Sequence, residues 1–182
     1  MTNDAAAYRP PAKALHWLTA AAIFCVVPLG FAMNAANPGP EQGRLYDLHR
    51  SVGTLILALV ALRLLWRLYS PAPSPVPGLP QWQIRAARFT HYAMYVLLFT
   101  VPLLGWAGTS AFGAPIKVFG LFELPPLLDK NRELAELLLP THMILALTLV
   151  AFVLLHTAAA LHHHFIRKDA TLRRMLPMVR PR

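Results

Sequence analysis

Three observations predict an all-α integral membrane protein, built over residues 1–182 as a single four-helix up-down bundle. Of 182 residues, 56% are hydrophobic and only 14% charged, which lies outside the range of soluble domains. Four apolar stretches, roughly 14–33, 48–68, 89–108 and 140–166, are each long enough to cross about 30 Å of hydrocarbon as a helix. The charges also sort by side. With four spans, Arg9, Lys13, Arg63, Arg67, Arg85, Arg88, Arg167, Lys168, Arg173, Arg174, Arg180 and Arg182 share one side with only Asp4 and Asp169. On the other side, Arg44, Arg50, Lys117, Lys130 and Arg132 are balanced by Glu41, Asp47, Glu123, Asp129, Glu133 and Glu136. Lys and Arg accumulate on the cytoplasmic face, so both termini are expected there. The net charge of +9 then reflects topology and anionic lipid, not nucleic acid.

The first stretch is longer than a secretory signal core and is expected to stay as a membrane helix. It holds Cys25, the single cysteine, expected to serve core packing; no intramolecular disulfide, Cys-based iron–sulfur cluster or CxxC pair is available. The second stretch ends at the proline-rich link 71–80, expected to be extended because proline lacks the donor a helix needs. Pro28 in the first stretch and Pro102 in the third are expected to kink their helices. The connection 109–139 contains Gly113, Pro115, Gly120, Pro125 and Pro126, followed by a charged amphipathic run from Lys130 to Leu138. That run predicts a short surface helix ahead of the fourth span.

Histidine is rare in apolar spans and costly there, which marks it as functional. His142 and His156 are fourteen residues apart on the fourth stretch, so they fall within about 40° of one helix face and roughly 21 Å apart along it. One helix thus presents two ligands at two depths. Neutral imidazole is a good axial ligand for haem iron, and two of them leave no open position for oxygen, as electron transfer requires. His49 begins the second stretch level with His142, and these form the outer pair. His156 has two candidate partners on the inner side, His16 and His91, each three residues inside a basic residue, Lys13 and Arg88; depth does not separate them. The alternative for His91 is a headgroup-level residue bonded to a phosphate or a haem propionate. His162, His163 and His164 point roughly 100° apart and cannot converge on one ion. They read either as an interfacial polar run or as a source of one residue that bonds a quinone oxygen and relays its proton. Arg50, beside His49, pairs with a propionate or anchors the interface. Gly53 leaves room near His49, and Trp17, Trp66, Tyr92, Tyr95, Phe99 and Trp106 serve as cofactor lining, core or interfacial belt.

The segments ALHWL, HRSVGTLILALVALRLLWR, HYAMYVLLFTVPLLGW and HTAAALHHHFIRKDATLRRMLP resemble the bacterial cytochrome b561 family of dihaem membrane proteins, over nearly the whole chain. The resemblance implies two b-type haems, with His16 and His156 as iron ligands of the inner haem and His49 and His142 of the outer one. Within that family the chain looks like the short, stand-alone superoxide oxidases. This implies an oxidoreductase passing electrons from periplasmic superoxide to ubiquinone, with an inner quinone site around His163. Two other readings stand beside it. One is a haem relay between quinone and a separate periplasmic redox partner. The other is a histidine-based metal transporter, which would need carboxylates within the spans, and the four apolar cores contain none.

Overall fold

The computed structural model describes residues 7–177; Asp4, Arg180 and Arg182 of the charge tally lie outside them. Four helices, α1 (Pro10–Ala35), α2 (Pro40–Tyr69), α3 (Gln81–Phe112) and α4 (Arg132–His162), account for most of the fold. All four are long and apolar enough to cross a membrane. They outrun the apolar stretches because local signals extend them. Prolines occupy the first helical positions of α1 and α2, where a missing N–H costs nothing. Gly113, with φ of 85°, closes α3 in the left-handed conformation. At the start of α4, the Asn131 side chain accepts the Leu134 N–H at 3.0 Å.

That cap changes the reading of the 130–138 run. It forms no separate surface helix but the first turns of α4, which starts with an Arg132–Glu136 pair at 3.0 Å and continues through Pro140. Proline removes one intrahelical hydrogen bond, a loss that membrane helices tolerate where local adjustments re-satisfy the freed carbonyl. The rest of that connection holds a small antiparallel hairpin, β1 (Ile116–Val118) and β2 (Phe122–Leu124). Its turn uses positive φ at Phe119 and Gly120. Ser51 on α2 fastens it, accepting the Phe119 N–H at 2.8 Å and donating to the Asp47 carbonyl at 2.7 Å. The 71–80 link is non-helical, as expected.

Helix α1 packs along α2 and α3 along α4, while α2 meets α3. The core lies half-way along the bundle: Ala22, Ile56, Val60, Leu97, Leu98 and Leu149. Outward-facing Phe24, Leu68, Ile144 and Leu154 are each at least 60% exposed, as lipid-facing residues are in helices apolar all round. Cys25 belongs to that outer surface. It is therefore not core packing, because Ala22 and Ile23 take the inward positions of that turn.

Beyond α4 the chain makes one wide π turn, His163–Arg167, leaves the helix at Lys168 with φ of 56°, and folds back over α1. Backbone carbonyls of this strap accept the Tyr8 N–H (to Arg174, 3.2 Å), the Lys13 ammonium (to Leu176, 2.9 Å) and the Trp17 indole N–H (to Met175, 2.9 Å).

Candidate functional site

The spacing of fourteen residues recurs in every helix: His16 and Gly30 on α1, His49 and Arg63 on α2, His91 and Gly105 on α3, His142 and His156 on α4. Because neighbouring helices run in opposite directions, these residues form two levels roughly 21 Å apart. The outer level holds His49, His142 and two glycines; the inner one holds His16, His91, His156 and Arg63. Seven residues from each level, Ile56, Leu98 and Leu149 form the apolar belt between them. Only the α4 pair is conspicuous as a sequence signal, since the partner positions on the other helices are a glycine or an arginine.

At the outer level the His49 and His142 ring centres are 6.1 Å apart with planes at 79°. Each ring turns its Nδ1 to a backbone carbonyl, His49 to Val26 at 3.2 Å and His142 to Val101 at 2.8 Å. A carbonyl only accepts, so Nδ1 carries the proton and Nε2 keeps a free lone pair. The glycines make this possible. A helical side chain covers the turn before it, so a residue with a side chain at 30 or 105 would shield the Val26 or Val101 carbonyl. A Cβ on Gly105 would lie 3.1 Å from His142, and one on Gly30 3.3 Å from His49. A cavity of about 430 Å3 opens beside the pair, lined by Gly53, Thr54, Trp106 and Arg50 among others. Arg50 is ion-paired with Asp47 at 3.6 Å and reaches the Pro115 carbonyl at 3.4 Å.

At the inner level His16 and His156 have ring centres 6.3 Å apart, at 74°. His91 sits closer to His156, 5.2 Å away. His16 Nδ1 is buried with no hydrogen-bond partner among the described residues. Arg63, grouped by its sequence position with the cytoplasmic charges, is half-buried within α2.

A b-type haem fits this donor set. Two imidazoles bound to one metal ion from opposite sides, at metal–nitrogen distances of about 2 Å, have ring centres roughly 6 Å apart. Ligand histidines characteristically donate their other N–H to a carbonyl or carboxylate, as the outer pair does. Backbone contact of α4 is mainly with α3, so its histidines meet those of α1 and α2 across a gap. Among the described residues no three His, Cys, Asp or Glu side chains converge as a metal-ion site.

Of the terminal histidines, His162 is exposed and His164 packs on Phe165, with ring centres 4.8 Å apart. His163 is held by Asp169, with Nδ1 to Oδ2 at 2.6 Å. Arg167 approaches the same carboxylate at 3.5 Å, and the Thr171 N–H donates to its other oxygen at 2.9 Å. Burial alone would raise the Asp169 carboxyl, but hydrogen bonds from Thr171 and His163 outweigh it and hold the group below its ordinary value.

A family model described as prokaryotic cytochrome b561 matches residues 7–178. Cytochrome b561 homolog 2 of Escherichia coli (strain K12) is 36% identical over 176 residues, 96% of this chain and 94% of the relative. Cytochrome b561 homolog 1 of the same organism is 32% identical over 167 residues, 90% of this chain and 93% of the relative. A probable superoxide oxidase, CybB, of Yersinia pestis is 32% identical over 166 residues, covering 91% and 93%.

Proposed function

The chain belongs to the prokaryotic cytochrome b561 family of membrane electron-transfer proteins, and from that premise we propose that it carries two b-type haems and passes electrons from superoxide, at the periplasmic face of the bacterial inner membrane, to ubiquinone near the cytoplasmic face. The observation that carries this reading is the pair of histidine couples, 6.1 and 6.3 Å between ring centres, at two depths of one bundle. Haem supplies one-electron chemistry; the chain supplies ligands, burial and proton handling. His49 and His142 would hold the outer haem through Nε2, their orientation fixed by Val26 and Val101. His16 and His156 would hold the inner one. Support for His16 over His91 is the ring separation, since 5.2 Å between His91 and His156 is an edge contact with less room than an intervening iron takes. Arg50 lines the outer cavity, where a propionate or an approaching anion would meet it.

Each superoxide gives up one electron and becomes dioxygen, so two are consumed per quinone, and the quinol also takes up two protons. His163 is suited to deliver one of them. Its Nδ1–H is committed to the ionised Asp169, so Nε2 would first take a proton from the inner face and then, from the imidazolium, donate it to a quinone oxygen, returning to a lone pair. We expect His163→Ala to slow haem reoxidation by added ubiquinone about tenfold or more, with both haems retained and outer reduction by superoxide unchanged, as read by stopped-flow absorbance. Unchanged reoxidation would remove His163 from the quinone site. A wild-type protein whose haem superoxide does not reduce would point to a separate periplasmic donor.

Gly105→Ala tests the outer ligand geometry. The added methyl would lie 3.1 Å from the His142 ring and force it to give by a few tenths of an ångström, straining its bond to the Val101 carbonyl. We expect outer-haem retention to weaken by up to about tenfold, the low end of what loss of a ligand's supporting hydrogen bond costs. Haem content of the purified variant after dilution checks this.

A further inference from the structure

We propose that Arg63 is a built-in cation of the inner site, which holds the inner haem at a higher potential than the outer one and so gives electron flow its direction. The inference rests on the dihaem reading above. Arg63 stands fourteen residues after His49 on α2, so it lies roughly 21 Å further along nearly the same face, level with His16 and His156. Its guanidinium is within electrostatic reach of His16, His91 and His156 and sits 5.5 Å from the centre of the Tyr95 ring. No carboxylate pairs with it among the described residues. A cation inside an apolar span is expensive and persists where it acts on something in the bundle. Here the neighbour is a pair of metal-binding imidazoles.

A fixed positive charge stabilises the iron state that has gained an electron, because ferrous haem carries one positive charge fewer than ferric. The outer level is built the opposite way. Both of its rings donate Nδ1–H to a carbonyl, which makes them stronger donors and favours the ferric state. The cation beside it, Arg50, is offset by Asp47. At the inner level, His16 Nδ1 has no such acceptor among the described residues. With both haems bound, the transfer would be one electron from the outer iron (Fe2+ to Fe3+) to the inner iron (Fe3+ to Fe2+), with no bond made or broken.

Equilibrium redox titration of the purified holoprotein, followed by haem absorbance, tests this. Wild type should show two one-electron waves, the inner one identified as the wave that survives in His142→Ala, and it should be the higher. Arg63→Gln is expected to lower the inner wave by about tenfold in its reduction equilibrium, about 59 mV for one electron, with both haems retained. Arg63→Lys should restore it. Arg67→Gln, whose guanidinium reaches only His91 of this cluster, should move it much less. Two unmoved waves in Arg63→Gln would overturn the proposal, as would loss of haem with an unshifted midpoint, which marks a mere anchor. Should Arg63→Gln lose the inner haem, Arg63→Lys decides: retention at the wild-type midpoint upholds the cation, and loss there too overturns it in favour of shape. A wild-type protein without two haems would instead sink the dihaem reading itself.

Discussion

Replacing His142 with alanine is expected to halve the haem content, leaving one six-coordinate b-type haem per chain and abolishing reduction by superoxide. The methyl group of alanine cannot bind iron, and no imidazole besides His49 stands at that level. His49 alone would leave a five-coordinate iron with a weakened hold. The inner level is insulated from this loss by the apolar belt of Ile56, Leu98 and Leu149, roughly 10 Å away along the helices, so its absorbance should persist. His49→Ala should behave in the same way. Pyridine haemochrome quantification against protein, with low-temperature spectra to separate the two α-bands, makes the measurement. Equal loss of both haems in a protein that is still helical and monodisperse would defeat the two-level assignment.

Exchanging His16 for alanine should remove the other haem and end quinone reduction, whereas His91→Ala should leave both haems six-coordinate. The contrast follows from geometry. His16 faces His156 across 6.3 Å, while His91 touches the edge of the same ring at 5.2 Å. Loss of His91 would open space beside His156 and shift the potential of the inner site without freeing a coordination position. Electron paramagnetic resonance distinguishes the cases, since a lost axial ligand converts the low-spin signal to high spin. A high-spin inner haem in His91→Ala, with His16→Ala still low-spin, would transfer the ligand role to His91.

The four spans were legible because length and apolarity alone determine what can cross a bilayer. Their ends were not, since they depend on capping: Asn131 begins α4 nine residues before the apolar core, and proline at the first positions of α1 and α2 starts those helices early. The hairpin β1–β2 was missed because strands of three residues carry no usable alternation, and its position is secured by a distant serine on α2. Five candidate ligands, His16, His49, His91, His142 and His156, stood out as histidines in greasy sequence. What shapes their surroundings did not, because glycine leaves no mark of its own and Arg63 looked like one more positive residue near the cytoplasmic face. The fourteen-residue spacing within each of the other three helices was the available signal. Reading it requires pairing unlike residues, a histidine with a glycine or an arginine.

The strap that folds back on α1 has a consequence for biogenesis. Its carbonyl at Leu176 receives the ammonium of Lys13, 163 positions earlier in the chain, and Met175 receives Trp17 across 158. A ribosome therefore delivers the first helix into the bilayer long before the residues that will close over its inner end exist. Of the other helices, α1 packs chiefly on α2, which follows it directly in the chain. In the order of synthesis, the seam between the strap and the first helix is therefore among the last joints that can form. The two ends of the chain are thus joined by contacts that cannot exist until translation is nearly complete.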